Sequence, residues 1–206
     1  MHQYKGKLII HTGSMFSGKT SSLEKDVKRF KIAGYTTLAF KPVLDTRNNT
    51  SEIITHDKTS LEATLIKDIG EIIKLCNENN PDVVAIDEVQ FLDGGIENIV
   101  SGIRALLEKE ITIVLAGLDI DFSGQPFEVV KELMPLADYL TKHHAVCVKC
   151  GTDAWVSHRK TKDRERVVIG ASKEYEPLCR KCFLEEKRIE EAIVNKNQVS
   201  FEDLKK

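Results

Sequence analysis

The chain has 206 residues, 41% of them hydrophobic and 30% charged, enough for one domain with an appendage or two small ones around a real core, which excludes wholesale disorder. Its 30 Lys and Arg against 32 Asp and Glu leave a net charge of -2, so it has no general electrostatic grip on nucleic acid or anionic lipid. No apolar run approaches the ~20 residues of a membrane span, and the first residues lead into a strand-like run with no signal-peptide core, so a soluble cytoplasmic protein is expected.

Residues 8–12 (Leu8-Ile9-Ile10-His11-Thr12) predict a buried strand, residues 19–32 a helix ended by Gly34, and residues 36–40 a second strand stopped near Pro42. The polar stretch 44–60 reads as a long loop. A helix is predicted over 61–78, closed by Asn79-Asn80-Pro81, then a strand over 83–86, a helix over 96–109 and a strand over 111–116. Short apolar strands alternating with helices predict βαβ units on a mostly parallel sheet covered by helices on both faces. After about Thr141 the texture changes to short β-rich pieces between cysteine pairs, then a charged helix from near Phe183. The expected division is an α/β domain over 1–142, a small zinc-ribbon-like β domain over 143–192 and a tail over 193–206.

Gly13-Ser14-Met15-Phe16-Ser17-Gly18-Lys19-Thr20 fits Gly-x-x-x-x-Gly-Lys-Ser/Thr between a strand and a helix. That is the place for a phosphate-binding loop and not for a plain Gly-rich turn. Glycines let successive N–H groups turn inward around phosphate oxygens, and the helix N-terminus adds its dipole. Lys19 would reach the β and γ phosphates, and the Thr20 hydroxyl would ligate Mg²⁺. Asp87 and Glu88 follow the strand at 83–86, where a second metal-side carboxylate is needed. Neighbours in an extended chain point to opposite sides, so Asp87 is assigned to Mg²⁺ and Glu88 to the nucleophile as general base. This chemistry is phosphoryl transfer from a nucleoside triphosphate, to water or to a small-molecule hydroxyl.

Of the five cysteines, Cys76 reads as core packing. Cys147, Cys150, Cys179 and Cys182 form two Cys-x-x-Cys pairs around a 28-residue excursion. Four thiolates fill a tetrahedral Zn²⁺ shell, which makes the zinc structural and not catalytic. His143 and His144 are not needed as ligands. Two strand-like pieces, 154–157 and 166–169, predict a β-ribbon. The basic run 159–166 reads as a solvated loop, with a lid tip over a charged ligand as the sharper reading. Nucleic-acid contact is the third, for which only Trp155 offers a stacking surface.

Taken in order, the loop 13–20, Phe40-Lys41-Pro42 with Asp45-Thr46-Arg47, Ile86-Asp87-Glu88-Val89-Gln90-Phe91, Ala116-Gly117-Leu118-Asp119, Phe122, Pro126-Phe127, the cysteine pairs and Tyr175 resemble the zinc-containing, type II thymidine kinases. The resemblance runs from about Lys7 to Cys182. It implies transfer of the γ-phosphate of ATP to the 5′-hydroxyl of thymidine, with deoxyuridine as a second substrate, in nucleotide salvage. Position by position it makes Glu88 the catalytic base, Lys19 and Arg47 the cations at the transferred phosphate, and Thr20 and Asp87 the Mg²⁺ side. Asp87, Glu88, Val89 and Gln90 match a second nucleotide-side segment. Met15, Phe91, Leu118, Phe122, Phe127 and Ser157 match residues enclosing thymine and sugar. Arg166, Val167, Val168, Ile169 and Gly170 match a lasso whose backbone grips the pyrimidine edge, with Tyr175 closing over it. The resemblance also implies a homotetramer and feedback inhibition by thymidine triphosphate. Departures are Ser14 in place of Pro, Arg166 in place of a small apolar residue, and His143-His144 in place of a more apolar pair.

Two other classes fit parts of the pattern. One is a P-loop ATPase with a zinc ribbon working on nucleic acid, against which the near-neutral charge and sparse aromatics count. The other is a catalytically silent zinc-ribbon binding module, against which Lys19, Thr20, Asp87 and Glu88 count.

Overall fold

A computed structural model describes residues 5–43, 52–54, 60–160 and 174–203. Strand β1 (Leu8–Gly13) leads through the glycine-rich loop into α1 (Lys19–Ile32) and back to β2 (Thr37–Pro42). A short antiparallel pair, β3 (Glu52–Ile54) and β4 (Ser60–Glu62), precedes β5 (Thr64–Ile66). Then come α2 (Ile69–Asn79), β6 (Val83–Ile86), α3 (Ile96–Glu108), β7 (Thr112–Gly117), α4 (Glu128–Leu133) and β8 (Tyr139–His143). The C-terminal part is a hairpin of β9 (Val156–Arg159) and β10 (Tyr175–Leu178) followed by α5 (Arg180–Asp203).

Six strands form one sheet in the order β5-β2-β6-β7-β1-β8, and every pairing in it is parallel. Its central strands are buried on both faces, which is why their sequences are continuous apolar runs without alternation. The alternation reappears in what each residue touches. Ile9, Ala39, Val83, Ala85, Val114 and Ala116 pack under Leu23, Val27 and Phe30 of α1. Their neighbours Leu8, Ile10, Phe40, Val84, Ile86, Ile113 and Leu115 pack under α2, α3 and α4. A parallel sheet brings all its strand C-termini to one edge, and both the glycine-rich loop and Asp87-Glu88 leave from that edge.

The helix predicted over 61–78 is corrected. Residues 60–62 and 64–66 are strands, and the helix begins only at Ile69. Leu61 and Ala63 are buried and Glu62 and Thr64 are exposed, a period of two and not 3.6. Asp68 then starts α2 as a side-chain cap, accepting from the Gly70 and Glu71 N–H groups at 2.8 and 3.1 Å. Strand β8 was not predicted, because it is an edge strand and four of its five residues are exposed. The ribbon strand expected at 154–157 runs instead over Val156–Arg159 and pairs with Tyr175–Leu178; residues 166–169 lie outside the described residues. No described helix is long and apolar enough to cross a membrane.

Candidate active site

The loop after β1 is shaped by backbone conformations that few residues tolerate. Gly13 has φ 132°, and a Cβ there would lie 2.1 Å from the His143 carbonyl oxygen, so only glycine fits. Phe16 and Gly18 have φ values of 64° and 85°, left-handed conformations of the kind that build anion-binding nests of backbone N–H groups. Lys19, the first residue of α1, is buried, and its Nζ donates to Ser14 O at 2.8 Å, which holds the ammonium over its own loop. Ser14 Oγ and Ser17 Oγ are buried with no hydrogen-bond partner among the described residues. Unmatched buried hydroxyls in a glycine-rich loop that opens a helix fit a bound phosphate.

Thr20 Oγ1 donates to Asp87, 3.2 and 3.3 Å from its two carboxylate oxygens. Two hard oxygen donors from facing elements meet here beside the loop, a donor set suited to Mg²⁺. Asp87 and Glu88 diverge by a mechanism other than the expected strand alternation. Glu88 takes a left-handed conformation (φ 52°, ψ 43°), costly for a residue with a Cβ and of a kind concentrated at functional sites, while its N–H donates to Asp87 Oδ1 at 3.0 Å.

Gln90 fixes the Glu88 side chain. Its Nε2 donates to Glu88 Oε2 at 2.6 Å, and its Oε1 accepts from the Leu118 N–H at 3.0 Å. Gln90, expected as part of the nucleotide-side segment, therefore ties the carboxylate to the end of β7, a positioning role that expectation did not include. Gly117 makes room for it, since a Cβ there would lie 2.7 Å from Gln90 Oε1 and 2.8 Å from Val89 Cγ1. The Val89 side chain belongs to the core, so any contact of Val89 with a nucleotide is through its backbone.

The expected substrate residues fall into linked groups. Phe91 and Phe127 meet edge to face at 6.3 Å between centroids. Arg159 joins Phe122 to Tyr175: its Cζ lies 3.8 Å from the centroid of the Phe122 ring, and its Nη2 donates to Tyr175 Oη at 2.8 Å. Arg159, the first residue of the basic run read as a solvated loop, is thus buried at the end of β9. Sequence reasoning missed it because all four residues of β9 are buried, leaving no alternation to show which way it points. Ser157, also on β9, accepts from the Met15 N–H at 2.8 Å, and Phe16 packs against the small core of the ribbon. The phosphate loop and the ribbon therefore touch directly. Arg47 and the lasso residues Arg166, Val167, Val168, Ile169 and Gly170 lie outside the described residues.

The sulfurs of Cys147, Cys150, Cys179 and Cys182 lie within 4.8 Å of one another, with Cys150 and Cys179 at 3.6 Å. A tetrahedron with Zn–S near 2.3 Å has edges of about 3.8 Å, so the cluster matches a closed zinc site. The Cys182 N–H, chiefly, draws the Cys179 thiol down, while hydrogen bonding with Cys179, chiefly, pushes the Cys182 thiol up. Sulfurs so close oppose one another's ionisation, and a dication at their centre lets all four ionise. The first knuckle is tied to the hairpin by the Val148 N–H, which donates to Pro177 O at 3.1 Å, and the second follows directly on β10, whose Leu178 O accepts from the Trp155 N–H at 2.7 Å.

A phosphate nest at the mouth of a parallel sheet, with a hydroxyl–carboxylate metal corner and a buttressed glutamate, defines a P-loop phosphotransferase. At the level of fold, the chain is similar to the flagellar accessory protein FlaH from Methanocaldococcus jannaschii, with a TM-score of 0.50 and 14% identity over 72% of this chain and 75% of that one. A family model described as thymidine kinase matches residues 6–183. Similar chains are the thymidine kinases of Bacteroides thetaiotaomicron, 42% identical over 87% of this chain and 88% of that one, and Bacteroides fragilis, 40% identical over 87% of each. That of Rhodothermus sp. is 38% identical over 86% of this chain and 81% of its own. The chain belongs to the thymidine kinase family.

Proposed function

We propose that this protein transfers the γ-phosphate of ATP to the 5′-hydroxyl of thymidine, forming thymidine monophosphate and ADP. The observation that carries the reading is the held Glu88 carboxylate beside the phosphate loop, clamped by Gln90 at 2.6 Å. In this reading the loop N–H groups and Lys19 bind the phosphates and neutralise charge that develops on the transferred group. Thr20 and Asp87 would hold Mg²⁺, which neutralises charge on the phosphate oxygens. Glu88 accepts the proton as the 5′-oxygen attacks phosphorus and ADP leaves. Arg47, from outside the described residues, adds positive charge at the same place.

Phe91, Leu118, Phe122 and Phe127 enclose the nucleoside with Met15 and Ser157. Residues 166–170 read the pyrimidine edge under Tyr175, and deoxyuridine is accepted as a second substrate. The zinc anchors both ends of this excursion, because a backbone that reads a base needs rigid roots. We further infer a cytoplasmic homotetramer inhibited by thymidine triphosphate. The exposed edge strand β8, with Tyr139 and Leu140 turned to the surface, supports association of copies.

The test is incubation of the zinc-loaded protein with labelled ATP, Mg²⁺ and a panel of nucleosides, and separately with single-stranded DNA. Monophosphate formed from thymidine supports the reading. ADP release that requires DNA and no nucleoside overturns it.

A further inference from the structure

His11, in the middle of β1, is buried and has a titratable partner on each side. Its Nε2 lies 3.0 Å from Asp26 Oδ2 on α1, and its Nδ1 lies 3.0 Å from His143 Nε2 at the end of β8. Burial works to raise the Asp26 carboxyl, but the His11 hydrogen bond and the charges of His11 and Arg29 outweigh it and hold it below the usual range. Asp26 is therefore an acceptor, and His11 donates to it from Nε2. With His11 neutral, its Nδ1 is a lone pair and His143 must donate from Nε2. With His11 protonated, His143 must instead offer a lone pair at Nε2 and carry its proton on Nδ1. Both rings cannot be cationic, because two N–H groups would then face each other across 3.0 Å. The pair holds a single extra proton.

This pair stands directly behind the phosphate loop. His143 is the register partner of Gly13, and its carbonyl fills the space that a Cβ on Gly13 would need. The charged groups around the pair are Asp26, Arg29 and Lys19 of α1 and the neighbouring His144; Lys142 is engaged by Asp119 at 2.7 Å. Burial, then the charges of His11, Lys19 and His144, hold the His143 imidazole below its ordinary value. Lys19 thus opposes a proton on the pair. A triphosphate on the loop would offset the Lys19 charge and reverse that opposition.

We propose that His11 and His143 form a one-proton site behind the phosphate loop that loads when a nucleoside triphosphate binds, so that ATP affinity rises with acidity through residues the transfer chemistry does not use. Linkage is reciprocal: if bound phosphate favours the proton, the proton favours bound phosphate by the same factor. The proposal rests on the loop's holding the triphosphate, a reading that binding at one fixed pH tests by itself.

The experiment is calorimetric titration of the full-length zinc-loaded protein with Mg²⁺ and a non-hydrolysable ATP analogue, at pH 6 and pH 8, in buffers of different ionisation enthalpy. The expected result is net proton uptake near pH 6.5 and a Kd about three- to tenfold weaker at pH 8. His143→Leu and His11→Leu should lose the part of the uptake that exceeds the analogue's own and flatten the difference. Uptake and pH dependence unchanged in both variants would overturn the proposal alone. No binding at either pH would overturn the loop reading and the proposal with it. Imidazole ¹⁵N spectra of the wild-type protein need no variant. One shared titration with a tautomer exchange at His143, moved upward by the analogue, supports the proposal; two independent titrations, or none that responds to the analogue, refute it.

Discussion

The backbone N–H of Met15, inside the phosphate loop, donates to Ser157 Oγ on the ribbon hairpin at 2.8 Å. Parts of the chain assigned to opposite ends of the reaction are thus joined by a part-buried hydrogen bond, 142 residues apart in sequence. Ser157→Ala would take away the partner of a part-buried N–H, a cost of about 0.5–1.5 kcal/mol, and would loosen loop and hairpin together. Denaturant unfolding should show the loss, and the KM values for ATP and thymidine should both rise. Ser157→Thr, which keeps the hydroxyl, should restore most of both.

Glu88→Gln removes the proposed base and leaves the loop intact. Turnover should fall by roughly 10²–10⁴-fold while ATP binding, followed by calorimetry, stays near the wild-type value. Near-normal turnover would remove Glu88 from its assigned role.

Gly117→Ala places a methyl 2.7 Å from Gln90 Oε1 and 2.8 Å from Val89 Cγ1. Crowding of this kind costs about 1–3 kcal/mol, and it displaces the amide that holds Glu88. The expected outcome is a lower melting temperature with a kcat that falls more than ATP affinity does. A loss of stability with unchanged kcat would show that Gln90 only braces the fold.

Elemental analysis should find about one zinc per chain. Cys179→Ser, or chelation, should raise the thymidine KM more than the ATP KM, because the four sulfurs root the hairpin and not the β1–α1 loop. An equal effect on both substrates would count against that division.

Acid should weaken the fold in two steps. Burial, then the charges of His11, Lys19 and His144, hold the folded His143 imidazole below its ordinary value. The unfolded state therefore binds more protons once pH drops below the ordinary His143 value of 6.5, and stability falls there. Asp26 lies below its ordinary 3.8, so its contribution is present above that value and is lost as pH falls further. Unfolding midpoints measured from pH 8 to pH 3 check both steps, and His143→Leu should remove the first.

The phosphate loop, the four cysteines, the strand at 83–86 and the limits of α1 were legible in the residues alone. Each depends on a local pattern: a motif with fixed spacing, an apolar run, or a helix whose first residue follows a glycine and whose end is marked by Gly34. What tertiary structure decided lies where distant segments meet. Residues 61–66 became strands because β2 and β3 offered pairing edges, and 139–143 became a strand because β1 did. Arg159 is buried because Phe122 and Tyr175 close around its guanidinium, and Glu88 is aimed by an amide held from β7. Short-range conformational preference leaves such choices open, and they are settled only when partners far away in the chain supply hydrogen bonds and apolar contact.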